Sequence, residues 1–409
     1  MSTPLNTKQQ GLALILFLVT ALTVAGGSFF ITAQRIKNSS IQTDHKTYKA
    51  LAAAKQALVS FSLSYQPTGL ATELGRLPYP DRFLDGDYDG QSDCINYTDA
   101  LNLPLLIGRF PWLRERGACP AQDINFDLKD ALGERLWYAV SPHMVRHSSN
   151  ATFSPNFLAI TNQWLTLYDQ NGLVSDRIAF IAFSAGAALP GQNKNTSTPI
   201  NFLDSYNVPG IGNVSNHDND LTFVTAPKSE TFNDKLIYMT IDELMPLLEK
   251  RVLLEVRNLL NNFQNLNGYY PYPAALIDPF YNCDTTISPG GGFIATSNVG
   301  PNLCPPALPP TPNSFIPLGN HLAQWQPYII YEPRQDCIFT NRTGCGNQPN
   351  GLTVDGINTG DFILMSPGLY TLPPTNNRAN YFEDAINIVD DQIYVRPNPQ
   401  LSNDQLIFQ

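Results

Sequence analysis

The residue types and spacing that point most directly to chemistry lie in Asp85-Gly86-Asp87-Tyr88-Asp89-Gly90-Gln91-Ser92-Asp93. Acids at alternate positions, followed by glycine, are how an EF-hand-type loop begins. Alternate carboxylates converge on one point when glycine lets the chain turn sharply, and Gln91 offers a carbonyl. Asp85, Asp87, Asp89, Gln91 and Asp93 are therefore candidate Ca2+ ligands. Asn96 stands where a full EF-hand has its bidentate Glu, so the expectation is an abbreviated loop. A solvated turn rich in Asp and Gly is the competing reading.

Catalytic constellations are harder to find. Phe183-Ser184-Ala185-Gly186-Ala187 is not the Gly-x-Ser-x-Gly elbow, and Met365-Ser366-Pro367-Gly368 repeats it, so a strand end is expected at both. There is no His-Glu-x-x-His and no phosphate-binding loop. The five histidines do not cluster in sequence. The chain is read as a non-enzyme. A hydrolase built on a pair of carboxylates is the least supported class.

The elements that position these residues begin with an uncharged run. Gly11 is followed by Leu12-Ala13-Leu14-Ile15-Leu16-Phe17-Leu18-Val19, and no charge appears until Arg35. A helix of ~20 apolar residues crosses a ~30 Å hydrocarbon core. Three readings fit. A signal peptide would be cut near Ala25-Gly26. A plain signal anchor would stay uncut. A class III leader would be cut after Gly11. Downstream, Tyr48, Leu51, Ala52, Leu58, Val59 and Phe61 recur at helical spacing and predict an amphipathic helix.

Lys8, a short polar stretch and Gly11 directly before the apolar run resemble the leaders of type IV pilins and type II secretion pseudopilins. The run Gln10-Gly11-Leu12-Ala13-Leu14-Ile15 is most similar to the minor-pilin branch. The resemblance implies cleavage between Gly11 and Leu12 by prepilin peptidase, and methylation of the new N-terminus. It implies insertion in the bacterial inner membrane, with the heads in the periplasm or at a fibre tip on the cell surface. Other pilins or pseudopilins would be the partners, through the N-terminal helix, and the heads would meet a surface or a substrate. Some pseudopilins bind calcium, which supports the acidic loop as a Ca2+ site. Most pilins carry Glu at the fifth mature position, where this chain has Leu16. In this it is similar to the large minor pseudopilin that caps a fibre, rather than to a shaft subunit. The competing class is a membrane-anchored periplasmic or surface binding protein that never joins a fibre.

Bulk properties agree with an extracytoplasmic chain. A length of 409 residues suggests two or three domains. A net charge of −10 argues against nucleic acid as a partner. An even count of six cysteines suits disulfides and an oxidising compartment.

The chain also repeats itself. Leu77-Pro78-Tyr79-Pro80 parallels Tyr270-Pro271-Tyr272-Pro273, and Leu136–Val140 parallels Gln326–Ile330. Phe180–Gly186 parallels Phe362–Gly368, Leu221–Val224 parallels Gln392–Val395, and Phe232–Tyr238 parallels Ser402–Phe408. A spacing this long reads as a domain duplication. It pairs Cys94 with Cys119 and Cys283 with Cys304, which leaves Cys337 for Cys345. The expected class is α+β: a long N-terminal transmembrane and amphipathic helix followed by two tandem pilin-like heads, each a helix packed on a small antiparallel sheet. The divisions are a leader at 1–11, a transmembrane and assembly helix at 12–34, a first head at 35–241 and a second head at 242–409.

Overall fold

The structure is a computed structural model. It describes residues 41–64, 74–83, 86–93, 107–113, 124, 126–145, 164–218, 220–276, 278, 280–284, 291–296, 322, 324–334, 337–338, 352–358, 360–368, 387, 393–394, 396 and 405–408. The leader and the apolar run at 12–34 lie outside the described residues. Among the described residues, no helix is long and apolar enough to cross a membrane.

Helix α1 spans 41–63. Its Ala- and Lys-rich middle has high helix propensity. Thr47, Leu51, Ala54 and Leu58 recur at helical spacing and form its buried stripe. Tyr48 and Ala52, expected in that stripe, face outward.

Strands β1 (Ile107–Arg109), β2 (Trp137–Val140), β3 (Leu165–Asp169) and β4 (Gly172–Ser184) follow. Then come the hairpin of β5 (Ser205–Val208) and β6 (Gly212–Ser215), then β7 (Thr222–Val224) and β8 (Lys235–Thr240). β4 pairs with β3 along its first half and lies between β2 and β8 along its second. Register shifts at Leu165/Leu167, Leu167/Tyr168 and Ile178/Phe180 mark irregularities along β4. Such bulges bend a strand and tighten its twist, so the six-stranded sheet curls.

Helix α2 (Ile241–Asn267) starts without a linker. Thr240, the last residue of β8, is also its N-cap. The Thr240 hydroxyl accepts from Glu243 N at 3.1 Å, and the Glu243 carboxylate accepts from Thr240 N at 3.2 Å. This capping box satisfies two otherwise unpaired donors. The second sheet then assembles from β9 (Gly292–Phe293), β10 (Ile330–Pro333), β13 (Phe362–Ser366) and β15 (Gln405–Phe408). Short strands β11 (Thr353–Val354), β12 (Ile357–Asn358) and β14 (Ile393–Tyr394) form a side sheet.

Strand alternation sorts each sheet into two faces. Leu136, Tyr138, Val140, Phe180 and Ala182 join the helices in one core, and Tyr331, Phe362 and Leu364 of the second sheet join the same core. Trp137, Ala139, Ile181 and Phe183 face the other way, under Phe202, Leu203 and Phe223. Ile330, Ile363 and Met365 likewise face away, under Leu352, Val354 and Tyr394. Burial on both faces explains why β2 and the 362–365 stretch of β13 read as unbroken apolar runs.

This architecture corrects the expected one. The described fold is sheet-rich and has no arrangement of a long N-terminal helix carrying pilin-like heads. The physical reason is α2. It packs on β4 and β8 of the first sheet and on β13 and β15 of the second, so the two sheets share a core rather than owning one each. The sheets are not purely antiparallel either. β3 pairs with β7 in parallel, and β11 pairs with β14 in parallel.

The two sheets nonetheless share a layout. The ladder β1-β2-β4-β8 has the same neighbour order as β9-β10-β13-β15. Tyr138 donates its hydroxyl to Pro78 O at 3.1 Å, and Tyr331 donates to Pro271 O at 3.0 Å. Asp81 and Arg109 exchange backbone hydrogen bonds of 3.0 and 2.7 Å, as Ala274 and Phe293 do at 2.8 and 2.9 Å. Two details of the internal repeat shift. Registers match Trp137–Val140 to Ile330–Pro333 rather than to the segment ending at Ile330. Cys283 sits where Ser92 sits, since Ser92 Oγ donates to Tyr79 O at 2.6 Å and Cys283 Sγ lies 3.8 Å from Tyr272 O.

Gly108 and Gly292 mark the closest backbone approach in each ladder. A Cβ at either would collide with a backbone carbonyl oxygen, that of Asp81 or of Ala274. Gly108→Ala and Gly292→Ala are each expected to destabilise the fold by about 1–3 kcal/mol, the usual cost of overpacking. Urea unfolding followed by circular dichroism reads this directly, and an unchanged midpoint for either variant would refute the close approach there.

Candidate functional site

The acidic loop is held by an aromatic side chain. The Tyr88 ring lies 5.8 Å from Trp137 and 5.4 Å from Phe83, and its hydroxyl donates to Ser197 O at 2.5 Å. Arg135 Nη1 donates to Tyr88 O at 2.8 Å. Beneath it, the Arg109 guanidinium is sandwiched 4.3 Å from the Trp137 ring and 4.4 Å from Phe202. Gly90, at φ +94°, is required because a Cβ there would run into the Trp112 indole.

The loop's carboxylates are largely taken up by its own backbone. Asp89 accepts from Gln91 N at 2.7 Å and from the Gln91 side-chain amide. Asp93 Oδ2 accepts from Arg82 N at 2.5 Å, while Arg82 Nη2 donates to Asp93 O at 2.7 Å. Asp81, which no sequence motif singles out, brings a further carboxylate, and its Oδ2 accepts from Gly90 N at 2.8 Å. Asp87 is exposed and Asp85 lies outside the described residues. The Gln91 side-chain amide nitrogen thus donates to Asp89. Among the described residues, no group of three or more His, Cys, Asp or Glu side chains is placed to hold a metal ion.

Burial pushes the Asp81 carboxyl up to about 8, and the neighbouring charges of Asp93 and Asp89 add to the shift. The loop therefore holds a proton on Asp81 that an exposed aspartate would lose near pH 4.

A second polar cluster, with no motif behind it, sits where the 185–204 loop meets the entry to β8. Asp204 Oδ2 accepts from Asn233 N at 2.6 Å and Asp234 N at 3.1 Å, and its Oδ1 accepts from Gln192 Nε2 at 2.8 Å. Asp234 Oδ2 in turn accepts from Asp204 N at 2.8 Å and Asn216 Nδ2 at 3.0 Å. Burial first, then the Asp204 charge, raises the Asp234 carboxyl well above the ordinary range. Lys194 donates to the carbonyls of Ala185 and Gly186 beside this pair. On the adjoining hairpin, Ser205 Oγ lies 2.7 Å from Ser215 Oγ and 3.1 Å from His217 Nε2.

Most of the other residues that the sequence singles out are not placed. Gly11, Leu12, Cys94, Cys119, Cys304 and Cys345 are outside the described residues. Cys283 is disulfide-bonded, and Cys337 is buried in the core shared by the helices and sheets. No family model, curated protein or solved structure matches the chain.

The raised Asp81 carboxyl makes stability pH-dependent with a definite sign. The folded state holds the proton more tightly than the unfolded chain does. Its contribution is therefore complete below about pH 4 and is lost as pH rises towards about 8. Each unit between the two pKa values is worth about 1.4 kcal/mol. Asp81→Asn keeps an acceptor for Gly90 N but cannot ionise. Thermal midpoints at pH 5 and pH 8 should fall less for Asp81→Asn than for the parent chain, and parallel falls would refute the assignment.

Proposed function

We propose that the chain is a membrane-tethered, extracytoplasmic structural protein of the minor-pilin or pseudopilin kind, processed after Gly11 and assembled through residues 12–34. The observation that carries this reading is the uncharged run from Leu12 to Ala33, set directly behind Lys8 and Gly11. Two structural features support it. Cys283 is in a disulfide, a bond that persists in oxidising compartments and is rare in the cytosol. Residues 41–63, which follow the apolar run in sequence, are helical. α1 is fastened to the body by Leu51, Ala54 and Leu58, by the Asp44–Lys235 ion pair, and by Lys55–Glu243 at 3.3 Å.

Leu16 in place of an acid favours a capping position over a repeating one. A buried carboxylate in lipid is costly unless paired; a subunit without it has nothing to offer a neighbour's N-terminal amine. The second reading is an anchored binding protein that stays outside any fibre.

The two readings separate at the mature N-terminus. Expressed in a host with prepilin peptidase, the chain should begin at Leu12, as mass spectrometry of its N-terminal peptide would show. Gly11→Ala should leave the full leader in place. A mature chain starting at Met1 or Gly26 would sink the pilin reading and leave the anchor or the signal peptide.

A further inference from the structure

We propose that Ser205 and His217 form a nucleophile–base pair able to cleave small, unhindered acyl esters, a site separate from the assembly reading. The fold places them together by strand register. Ser205 faces Ser215 across the β5–β6 hairpin, and the bend that follows β6 brings His217 back against Ser205. The outcome is a short relay, with Ser215 Oγ 2.7 Å from Ser205 Oγ and Ser205 Oγ 3.1 Å from His217 Nε2.

The roles follow from the surroundings. Burial lowers the His217 pKa, which keeps the imidazole neutral and able to accept a proton; its own backbone and the Asp204 charge act in the opposite sense. A neutral Nε2 acceptor takes the Ser205 O–H, and Ser215 then donates to Ser205 Oγ. A hydroxyl within hydrogen-bond reach of a base is the core of an activated nucleophile. The Asp204 charge raises the His217 pKa and so favours the imidazolium that forms as the proton arrives; its carboxylate is held by the Asn233 and Asp234 amides and by Gln192. Ser205 and His217 are half-buried and reachable, while Ser215 is buried and positions Ser205.

The chemistry is acyl transfer to water. Ser205 Oγ adds to the ester carbonyl carbon as its proton passes to His217 Nε2. The adduct collapses by breaking the C–O bond to the alcohol, which leaves with the proton from Nε2. Water then attacks acyl-Ser205 by the same route, giving the carboxylic acid and restoring both groups. The open hairpin suits a short acyl group, so p-nitrophenyl acetate and a fluorophosphonate are the probes.

The test uses the full chain. Peptide mapping after fluorophosphonate treatment should place the adduct on Ser205, and Ser205→Ala should abolish it. His217→Gln should slow labelling and acetate release by about 100-fold, the lower end of what a general base contributes. Ser215→Ala should label more slowly but still at Ser205. The rate should rise with pH through a value below the ordinary histidine range. An unlabelled Ser205 in the parent chain would overturn the proposal, as would wild-type labelling in His217→Gln. If Ser205→Ala fails to fold by circular dichroism, the mapped adduct and His217→Gln still decide the matter.

Discussion

Helix α2 has to stay dry along one broad face, and the rest of the described structure depends on that. Leu244, Met245, Leu248, Val252, Leu253, Val256 and Leu260 are all buried, a stripe far wider than a helix lying on one sheet would need. At full burial each such side chain contributes roughly 1.5–3 kcal/mol. Covering them takes a sheet from each half of the chain. Glu249 lies within this dry region, and Ser366 of the second sheet donates to it at 2.9 Å. That bond gives Oε1 of the buried carboxylate a partner. The helix thus fuses two similar ladders into one cooperative core.

Much of the local structure was legible in the sequence because it follows from short-range rules. The apolar runs at Trp137–Val140 and Phe362–Ser366 could only be doubly buried strands or helix segments, and the flanking turn residues decided for strands. Asp242 and Glu243 in the first turn of α2 suit the helix dipole. What the sequence could not show was the covering of α2. An apolar helix face announces that something lies on it without naming what. The parallel pairing of β3 with β7 was hidden for a similar reason, since it joins segments far apart in the chain and leaves no local mark.

The acidic loop illustrates the same limit. Its Asp spacing was visible, and its real support was not. Tyr88 reads as a spacer between acids, yet its ring against Trp137 is what seats the loop. Asp81 lies outside the motif and joins it by accepting from Gly90 N. The pairing of Ser205 with Ser215 was within reach, because Pro209-Gly210 between two short β-prone stretches is a hairpin signal that sets the register. His217 beside it follows only once that register is known.

The join at Thr240 has a mechanical consequence. One residue ends a strand and caps a helix, and Arg177 of β4 grips Asp242 in the first turn at 2.6 Å. β8 and α2 meet at Thr240, so no slack segment separates the first ladder from the helix on which both ladders pack. A pull on the first ladder therefore passes through this stiff elbow into α2 and on to the second ladder packed against it.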